Sequence, residues 1–378
     1  MQVAQVETIL AEDKWLLVKV TTDNGIVGIG EAGLHGVTEA AEAAVTTFGR
    51  YLVGKDPLQI EHHFQYMYRF SHFRGAAVGG AISALDIALW DIAGKHFEAP
   101  VYQLMGGKVR DKARVYMHVG GDSVEDLYAS AKAAADDGFT AVRFTPFVET
   151  GEAQYYNQRY SRMLSEAVER VAAVREAVGN DVDLCVEIHR RLGIPEAIQL
   201  GREIAEFRPF FYEDPTTPDS NESMAEIARN IPIPIATGER LHTMWEFREL
   251  LQQRACSYIR PDVCIAGGLT HTKKIAAVAE SFNIGVIPHN PLTPISTAAC
   301  VQIDACIPNF VLQEYTGEDK PPKSEMVKEP LHLENGYLTI PDRPGIGVEI
   351  NDEFFATHEY SPRPIDTPLR EDGSVADR

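Results

Sequence analysis

The sequence predicts an α/β protein in which a (β/α)8-type barrel is covered by a smaller N-terminal α+β domain. Eight short apolar runs follow one another over residues 114–314, with helical patterns between them. Such an alternation is what a closed barrel of parallel strands requires. The first third of the chain does not repeat in this way, and 378 residues are enough for a barrel with additions.

Residues 1–113 form the predicted cap. The segment KWLLVKVTTDNGIVGIGEA contains two β-rich runs joined at Asn24 and Gly25, a pair that favours a tight hairpin turn. Apolar residues spaced three to four positions apart then predict helices over residues 37–53, 57–70 and 80–94.

The barrel is predicted over residues 114–329. Its strands are expected at RVYMHV, TAVRFTP, VDLCVEIH, PFFYED, IPIATGE, CSYIRPD, IGVIPH and NFVLQE. A doubly wound open sheet is the alternative, but no strand is followed by the glycine-rich turn GxGxxG. The remaining residues, 330–378, are rich in proline and are predicted to return to the cap.

Composition excludes several classes of protein. The 35 basic and 55 acidic residues give a formal charge of −20, which argues against a nucleic-acid partner. No apolar run approaches the roughly 20 residues of a membrane span, and the first residues lack the basic region of a signal peptide. Five cysteines without CxxC spacing indicate free thiols in a reducing compartment. We therefore expect a cytoplasmic protein that binds neither membrane nor nucleic acid.

Carboxylates stand at the ends of three successive predicted strands. Glu187, Glu213 and Glu239 are each 26 residues apart, which is one βα unit. The carboxyl ends of barrel strands meet at one mouth, where active sites lie. Three neighbouring carboxylates cannot stay ionised together without a cation, and an all-oxygen ligand set suits Mg²⁺. The sequence therefore predicts a magnesium site.

Other polar residues end strands at the same mouth. His189 lies two residues beyond Glu187, so strand alternation would point both side chains to one side, with His189 placed to deliver a proton. Asp262 and His289 end neighbouring strands and can form a carboxylate–imidazole pair that raises the basicity of the ring. Glu314 ends the eighth strand.

The distribution of basic residues narrows the chemistry further. No lysine occurs in residues 133–272, so a catalytic base would have to be histidine or tyrosine, if there is one. Arg143 either faces the barrel mouth or is paired structurally. The loops at residues 33–36 and 71–75 are expected to fold over the mouth, with His35 and Arg74 as candidate substrate contacts.

Seven stretches in this order resemble the enolase superfamily, in the mandelate racemase-like group of acid sugar dehydratases: SALDIALWDIAGKHFEAPVYQLMGG, VEIHRR, FYEDPTTP, IPIATGER, YIRPDVCIAGGLT, VIPHNPLTPISTAACVQIDA and DRPGIGVEIND. The resemblance covers nearly the whole chain. It implies a modified TIM barrel in which Mg²⁺ binds the substrate carboxylate and stabilises an enediolate after removal of the α-proton. By the same resemblance, the site residues match as follows: Glu187, Glu213 and Glu239 as metal ligands, Asp262 and His289 as the base, His189 as the acid that assists departure of the 3-hydroxyl, and Glu314 as a hydrogen-bonding partner near the substrate carboxylate.

Two subfamilies compete. The stretch PHNPLTPISTAACVQIDA and the Asp262–His289 pair resemble galactonate dehydratase, whereas FYEDPTTP, LQEYTGED and PLREDGSVADR resemble the mannonate dehydratase group. Members of the latter use a Tyr–Arg pair, to which Arg143 and either Tyr155 or Tyr156 would correspond. The first ligand is glutamate where the galactonate group has aspartate. The sugar acid therefore stays open.

We expect a homo-oligomeric hydro-lyase that converts a small sugar acid, of galactonate, gluconate or xylonate type, into a 2-keto-3-deoxy acid. A racemase or epimerase would need a second base opposite His289. A regulatory binding protein with a degenerate site, of the starvation-sensing kind, is the non-enzymatic alternative, although several polar groups in phase at the strand ends favour an enzyme.

Overall fold

The computed structural model describes residues 1–148 and 154–376, so the last two residues of the predicted tail lie outside the described chain. The cap begins with an antiparallel sheet of three strands in the order β1-β2-β3. Their bounds are β1 Val3–Ala11, β2 Trp15–Thr22 and β3 Val27–Ala32. The predicted hairpin is confirmed, because β2 and β3 are joined through Gly25, whose φ is 87°. Strand β1 was not predicted from the sequence.

Four helices complete this part of the cap: α1 Thr38–Leu52, α2 Ile60–Phe70, α3 Ala76–His96 and α4 Val101–Leu104. The three predicted helices correspond to α1, α2 and α3. The central helix, α3, crosses the sheet in direct backbone contact, because β3 carries glycines where it passes. A Cβ atom at Gly28 or Gly30 would lie 2.0 Å from the carbonyl oxygen of Ala88 or Ala84, respectively.

Among the described residues, one helix, α3, resembles a membrane span in length and composition. With 21 residues it is long and apolar enough to cross a membrane by length and composition alone, although Ser83, Asp86 and Asp91 interrupt its apolar run. In the structure, 72% of its most apolar window is buried inside the protein. Helix α3 is thus the core helix of the cap.

Eight parallel strands form the second part of the molecule: β4 Lys112–His118, β5 Ala141–Phe144, β6 Asp183–Glu187, β7 Phe211–Glu213, β8 Ile235–Thr237, β9 Tyr258–Ile259, β10 Gly285–Val286 and β11 Gln313–Tyr315. From β4 to β10 each strand pairs with the next. A bridge between Val286 and Phe310 joins β10 to the run leading into β11, and β11 pairs with β4. The predicted closed barrel is confirmed.

A helix follows each of the first seven barrel strands: α5 Val124–Asp136, α6 Tyr160–Val178, α7 Ile194–Glu203, α8 Asn221–Asn230, α9 Met244–Gln252, α10 Gly268–Ser281 and α11 Pro294–Cys306. Between β11 and the hairpin of β12 Leu333–Glu334 and β13 Tyr337–Thr339, the chain forms a 3-10 helix, Lys323–Met326. Strand β13 pairs antiparallel with the start of β4. The barrel is therefore a modified one, with no α-helix at the eighth position of the described chain.

The interior of the barrel is filled with buried side chains below the mouth. This cluster consists of Tyr116, Ala141, Cys185, Phe211, Ala236, Ile287 and Leu312. Because these positions are occupied by packed and mostly apolar groups, the polar residues of the strands are concentrated at their carboxyl ends.

The C-terminal segment contacts the cap. Gly345 forms a bridge with Pro100, the backbone N–H of Ile346 donates to Asp91 at 2.9 Å, and that of Ser361 donates to the carbonyl of Glu12 at 2.7 Å. A last helix, α12 Asp352–Thr357, lies between these contacts. The boundaries at residues 113 and 329 stay predictions.

Candidate active site

The three predicted carboxylates converge at the barrel mouth. Glu187 ends β6, Glu213 ends β7, and Glu239 lies two residues beyond the end of β8. One carboxylate oxygen of each lies within 4.8 Å of the others, and the first two side chains are buried. These residues fit a divalent cation, since an all-oxygen set of carboxylates is the donor chemistry that hard cations prefer.

Each of these carboxylates also has a guanidinium beside it. Arg143 Nη2 lies 2.7 Å from Glu187 Oε2. Arg260 Nε lies 2.5 Å from Glu213 Oε1. Arg190 Nη1 lies 3.3 Å from Glu239 Oε1. Arg143 was predicted either to face the mouth or to be paired, and the structure shows both.

The electrostatics of the cluster explain why a cation would be favoured there. Burial raises the pKa of Glu213 well above its ordinary value and the charge of Glu187 adds to this, against the opposing effect of Arg260. Burial also raises the pKa of Glu187, but the charges of Arg143 and His189 outweigh it and bring the pKa to about 2. The protein alone therefore does not compensate all three negative charges.

Asp262 and His289 form the predicted pair. His289 Nδ1 lies 2.8 Å from Asp262 Oδ2, and the other ring nitrogen, Nε2, lies 3.4 Å from Glu239 Oε2. Burial lowers the pKa of His289, but the negative charges of Glu239, Glu314 and Asp262 outweigh it and raise the pKa to about 9. The pair thus presents Nε2 toward the acidic cluster.

Glu314 is surrounded by donors. Its carboxylate accepts a hydrogen bond from Arg260 Nη2 at 2.7 Å and from the backbone N–H of Asn290 at 2.7 Å, and His118 Nε2 lies 2.8 Å away. Burial raises its pKa, but Arg260 and His289 hold the pKa well below its ordinary value. Glu314 therefore carries a fixed negative charge at the mouth.

The prediction that strand alternation would place His189 is wrong, because β6 ends at Glu187. His189 has left-handed backbone geometry, with φ of 56°, and its backbone N–H donates to Glu187 Oε1 at 2.5 Å. This turn still brings the imidazole close to the carboxylates. Burial lowers the pKa of His189 to about 4, although the charges of Glu187 and Glu239 act in the opposite direction.

The first cap loop lies at the mouth. The backbone N–H of Gly33 donates to the carbonyl of Cys264 at 2.9 Å, close to Asp262. His35 has an exposed side chain, yet partial desolvation, followed by the charge of His289, lowers its pKa to about 4. The electrostatic influence of His289 therefore extends to His35.

Arg74, in the second cap loop, and Tyr155 contact residues other than the three glutamates. The guanidinium of Arg74 lies 4.2 Å from the ring centroid of Tyr68 and lines a small pocket with His242 and His271. Tyr155 begins a 3-10 helix, Tyr155–Asn157, and its ring packs against Phe147 and the guanidinium of Arg191. These contacts do not join Arg74 or Tyr155 to the three glutamates.

Sequence reasoning missed four residues of this site. His118 is the last polar residue of the first strand run, so the rule used for the other strands would have found it. Arg260 lies two residues before Asp262 on the run YIRPD and is fully buried. Asp214 follows Glu213, accepts a hydrogen bond from Thr237 Oγ1 at 2.5 Å, and has its pKa raised to about 7 by burial and by Glu239 and Glu187. Arg190, which follows His189, carried no recognisable signal.

Comparison with known proteins agrees with this architecture. Residues 3–106 match the N-terminal domain of the mandelate racemase / muconate lactonizing enzyme family, and residues 126–354 match the enolase C-terminal domain-like family. D-galactonate dehydratase of Cronobacter sakazakii is 37% identical over 386 residues, covering 100% of both chains. D-galactonate dehydratase of Ralstonia pickettii is also 37% identical with the same coverage.

Solved structures agree as well. The structure of an enolase from Agrobacterium radiobacter, with sodium and L-malate bound, has a TM-score of 0.92 and 31% identity and covers 100% of both chains. An enolase superfamily member from Salmonella Typhimurium has a TM-score of 0.89 and 32% identity, covering 94% of this chain and 98% of that one. The predicted resemblance and the predicted class of enzyme, a hydro-lyase, are confirmed by these matches. The chain therefore belongs to the mandelate racemase and muconate lactonizing enzyme family of the enolase superfamily, among the acid sugar dehydratases.

Proposed function

We propose that this chain is a Mg²⁺-dependent dehydratase of a five- or six-carbon sugar acid of galactonate, gluconate or xylonate type. The reaction breaks the C–H bond at the α-carbon and the C–O bond at the 3-carbon and releases water. The resulting enol tautomerises to a 2-keto-3-deoxy acid. The observation that carries this proposal is the Asp262–His289 pair, whose free ring nitrogen faces Glu239 of the carboxylate cluster at 3.4 Å.

Glu187, Glu213 and Glu239 would hold the metal. When bound there, Mg²⁺ supplies positive charge to the substrate carboxylate and so makes the α-proton more acidic. Arg143, ion-paired with Glu187 at 2.7 Å, keeps that ligand ionised and oriented. Arg260, ion-paired with Glu213 at 2.5 Å, orients that ligand and opposes the rise of its pKa on burial.

His289 is the proposed base. Its hydrogen bond to Asp262 fixes the proton on Nδ1 and leaves Nε2 to accept the α-proton. Glu239 and Glu314 favour the protonated ring. The imidazole can therefore accept the α-proton once a bound cation compensates the negative charge of Glu239.

His189 is the proposed acid for the departing 3-hydroxyl. It lies beside Glu187, and the charges of Glu187 and Glu239 act on its pKa, which supports a position at the same barrel mouth as His289. Because burial lowers its pKa to about 4, the protonated ring gives up its proton more readily than an ordinary imidazolium does. Its protonated fraction at neutral pH is correspondingly small.

Mannonate is the second candidate substrate. By resemblance, the sixth strand of the mannonate dehydratase group is similar to YIR but has no acid at the position of Asp262, and Arg260 of this run bridges Glu213 and Glu314 inside the site. An epimerase is less well supported, because it would need a second base. The candidate for that base is Arg143, the arginine of the predicted Tyr–Arg pair, but Arg143 is ion-paired with Glu187 and its pKa is raised. It therefore makes a poor second base.

A panel of five- and six-carbon sugar acids tests the proposal, with formation of 2-keto acid measured in Mg²⁺ and again after chelation. We expect turnover of one acid or a few related acids that stops when the metal is removed. Glu249→Gln, an exposed substitution on α9, is the control and should keep full activity. Formation of an epimer without keto acid, or no turnover of any acid, would contradict the proposal.

We further propose that the enzyme is cytoplasmic and homo-oligomeric. All five cysteines are free thiols, and four of them are buried, which suits a reducing compartment. Closed symmetric assemblies are common among such enzymes. Light scattering coupled to gel filtration would give the mass of the assembly, and a mass of one chain would contradict the oligomer.

A further inference from the structure

Glu31, on β3 of the cap, reaches the barrel segment that follows His289. The residue is fully buried, and its Oε2 accepts hydrogen bonds from Thr293 Oγ1 at 2.5 Å and from the backbone N–H of Ser296 at 3.1 Å. Thr293 is the N-cap of α11 and accepts from the N–H of Ile295 at 3.2 Å. A carboxyl group of the cap thus accepts hydrogen bonds at the N-terminus of a barrel helix, where backbone N–H groups lack partners within the helix.

The segment between His289 and this helix is short and is held at both ends. The backbone N–H of Asn290 donates to Glu314 at 2.7 Å, and Asn290 Nδ2 donates to Thr297 Oγ1 at 2.7 Å. Asn290 and Thr293 are both fully buried. The position of His289 therefore depends on barrel contacts at Asn290 and on the cap contact at Thr293.

The same cap strand leads to the other member of the pair. Gly33, two residues after Glu31, donates its N–H to the carbonyl of Cys264 at 2.9 Å, and a Cβ there would lie 3.1 Å from Asp262 Oδ1. One stretch of the cap thus contacts the loop after Asp262 and the loop after His289.

We propose that Glu31 is a positioning residue, which holds the loop after His289 so that the imidazole keeps its geometry against Asp262. This inference rests on the proposed role of His289 as the base. Removal of the carboxylate leaves the Thr293 hydroxyl and the Ser296 N–H without their acceptor inside a buried interface. A displacement of about 1 Å at a reacting group lowers the rate by as much as about 100-fold.

Glu31→Ala and Glu31→Gln form the decisive pair of variants. Burial raises the pKa of Glu31 to about 8, although both hydrogen bonds oppose this shift, so glutamine imitates the neutral side chain and keeps an accepting oxygen. We expect kcat to fall about 10- to 100-fold in Glu31→Ala, with KM changed less than about 3-fold, and to recover in Glu31→Gln.

Asp91→Ala is the matched control. Asp91 is also a buried cap carboxylate that accepts from backbone N–H groups, but its partners are Ile29 and Ile346 rather than the loop after His289. We expect it to lose stability while the folded fraction keeps its kcat. An unchanged kcat in Glu31→Ala, failure of glutamine to restore it, or an equal loss of kcat in Asp91→Ala would overturn the proposal.

Two further measurements keep the test decisive. If Glu31→Ala does not fold, Thr293→Val, which removes the hydroxyl, should lower kcat, whereas Thr293→Ser should not. Hydrogen–deuterium exchange of the peptide covering residues 289–296 is independent of turnover. Protection lost in Glu31→Ala and kept in Glu31→Gln supports the contact even if no sugar acid is turned over, and unchanged protection overturns it.

Discussion

His289 Nδ1 lies 2.8 Å from Asp262 Oδ2, and a parallel bridge joins the backbones of these two residues just beyond β9 and β10. The barrel hydrogen bonding therefore continues for a further step and sets the two side chains side by side. Because Asp262 accepts a hydrogen bond from Nδ1–H, the imidazole has one tautomer with Nε2 available for chemistry.

A deuterium exchange experiment should distinguish the proposed roles of His289 and His189. His289→Asn should lose both dehydration and exchange of the α-proton with solvent, because the base is gone. His189→Asn should lose dehydration by roughly 10²–10⁴-fold yet still exchange the α-proton, since base and metal ligands remain. Proton NMR of the substrate in D₂O with Mg²⁺ measures both. Exchange retained in His289→Asn and lost in His189→Asn would reverse the assignment.

Substitution of one carboxylate of the cluster should weaken metal binding with little effect on the fold. Glu213→Gln keeps the shape of the side chain but removes one anionic ligand, so we expect Mg²⁺ affinity to fall at least about 10-fold and activity to disappear. Glu239→Gln should behave alike. Titration calorimetry measures the affinity, with Glu249→Gln as the exposed control. Unchanged affinity in both cluster variants would rule out this metal site.

Arg260 should be essential for stability before any ligand is bound. It is fully buried and paired with Glu213 and Glu314, so Arg260→Met leaves two buried carboxylates without their counter-ion. We expect a loss of about 3–5 kcal/mol in the free energy of unfolding, measured by urea denaturation in chelator. Arg248→Met, at an exposed pair with a separation of 3.8 Å, should cost less than about 1 kcal/mol. Similar losses in the two variants would contradict this expectation.

Stability should fall as pH rises, in part because of Asp86. This carboxylate is buried in α3 and accepts from the N–H of Thr270 at 3.0 Å, and burial raises its pKa from 3.8 to about 7. A raised folded-state pKa favours folding fully below the unfolded value, and this contribution is lost as pH rises through about 7.

Asp86→Asn should therefore reduce the fall in unfolding free energy between about pH 5 and pH 8, by up to about 3 kcal/mol. Urea denaturation across this range measures the slope. Asp111→Asn, an exposed substitution, should leave it unchanged. A slope in Asp86→Asn equal to that of the wild type would show that Asp86 does not titrate in this range.

Features that repeat along the chain or depend on residue spacing could be predicted from the sequence. One βα unit between Glu187, Glu213 and Glu239 is enough to place them at one mouth, because strand ends in a parallel barrel coincide. The pairing of Asp262 with His289 follows from the same rule. The hairpin at Gly25 could be predicted because its turn requires a positive φ.

Contacts between distant parts of the chain could not be predicted in this way. The turn at His189 depends on where β6 ends, which period-two alternation does not reveal. Arg260 looks like an ordinary strand residue until Glu213 and Glu314, from two other strands, are brought around it. Arg74 was named a candidate substrate contact from its loop alone, and the contact of its guanidinium with the Tyr68 ring could not be read from the sequence.

The return of residues 345–361 to the cap has a consequence for synthesis on the ribosome. Asp91 and Glu12 emerge early, but their partners Ile346 and Ser361 emerge only after every barrel strand has been made. The nascent cap therefore lacks these contacts until the barrel has been translated. A truncated chain that ended before Ile346 would carry the three glutamates but an incomplete cap.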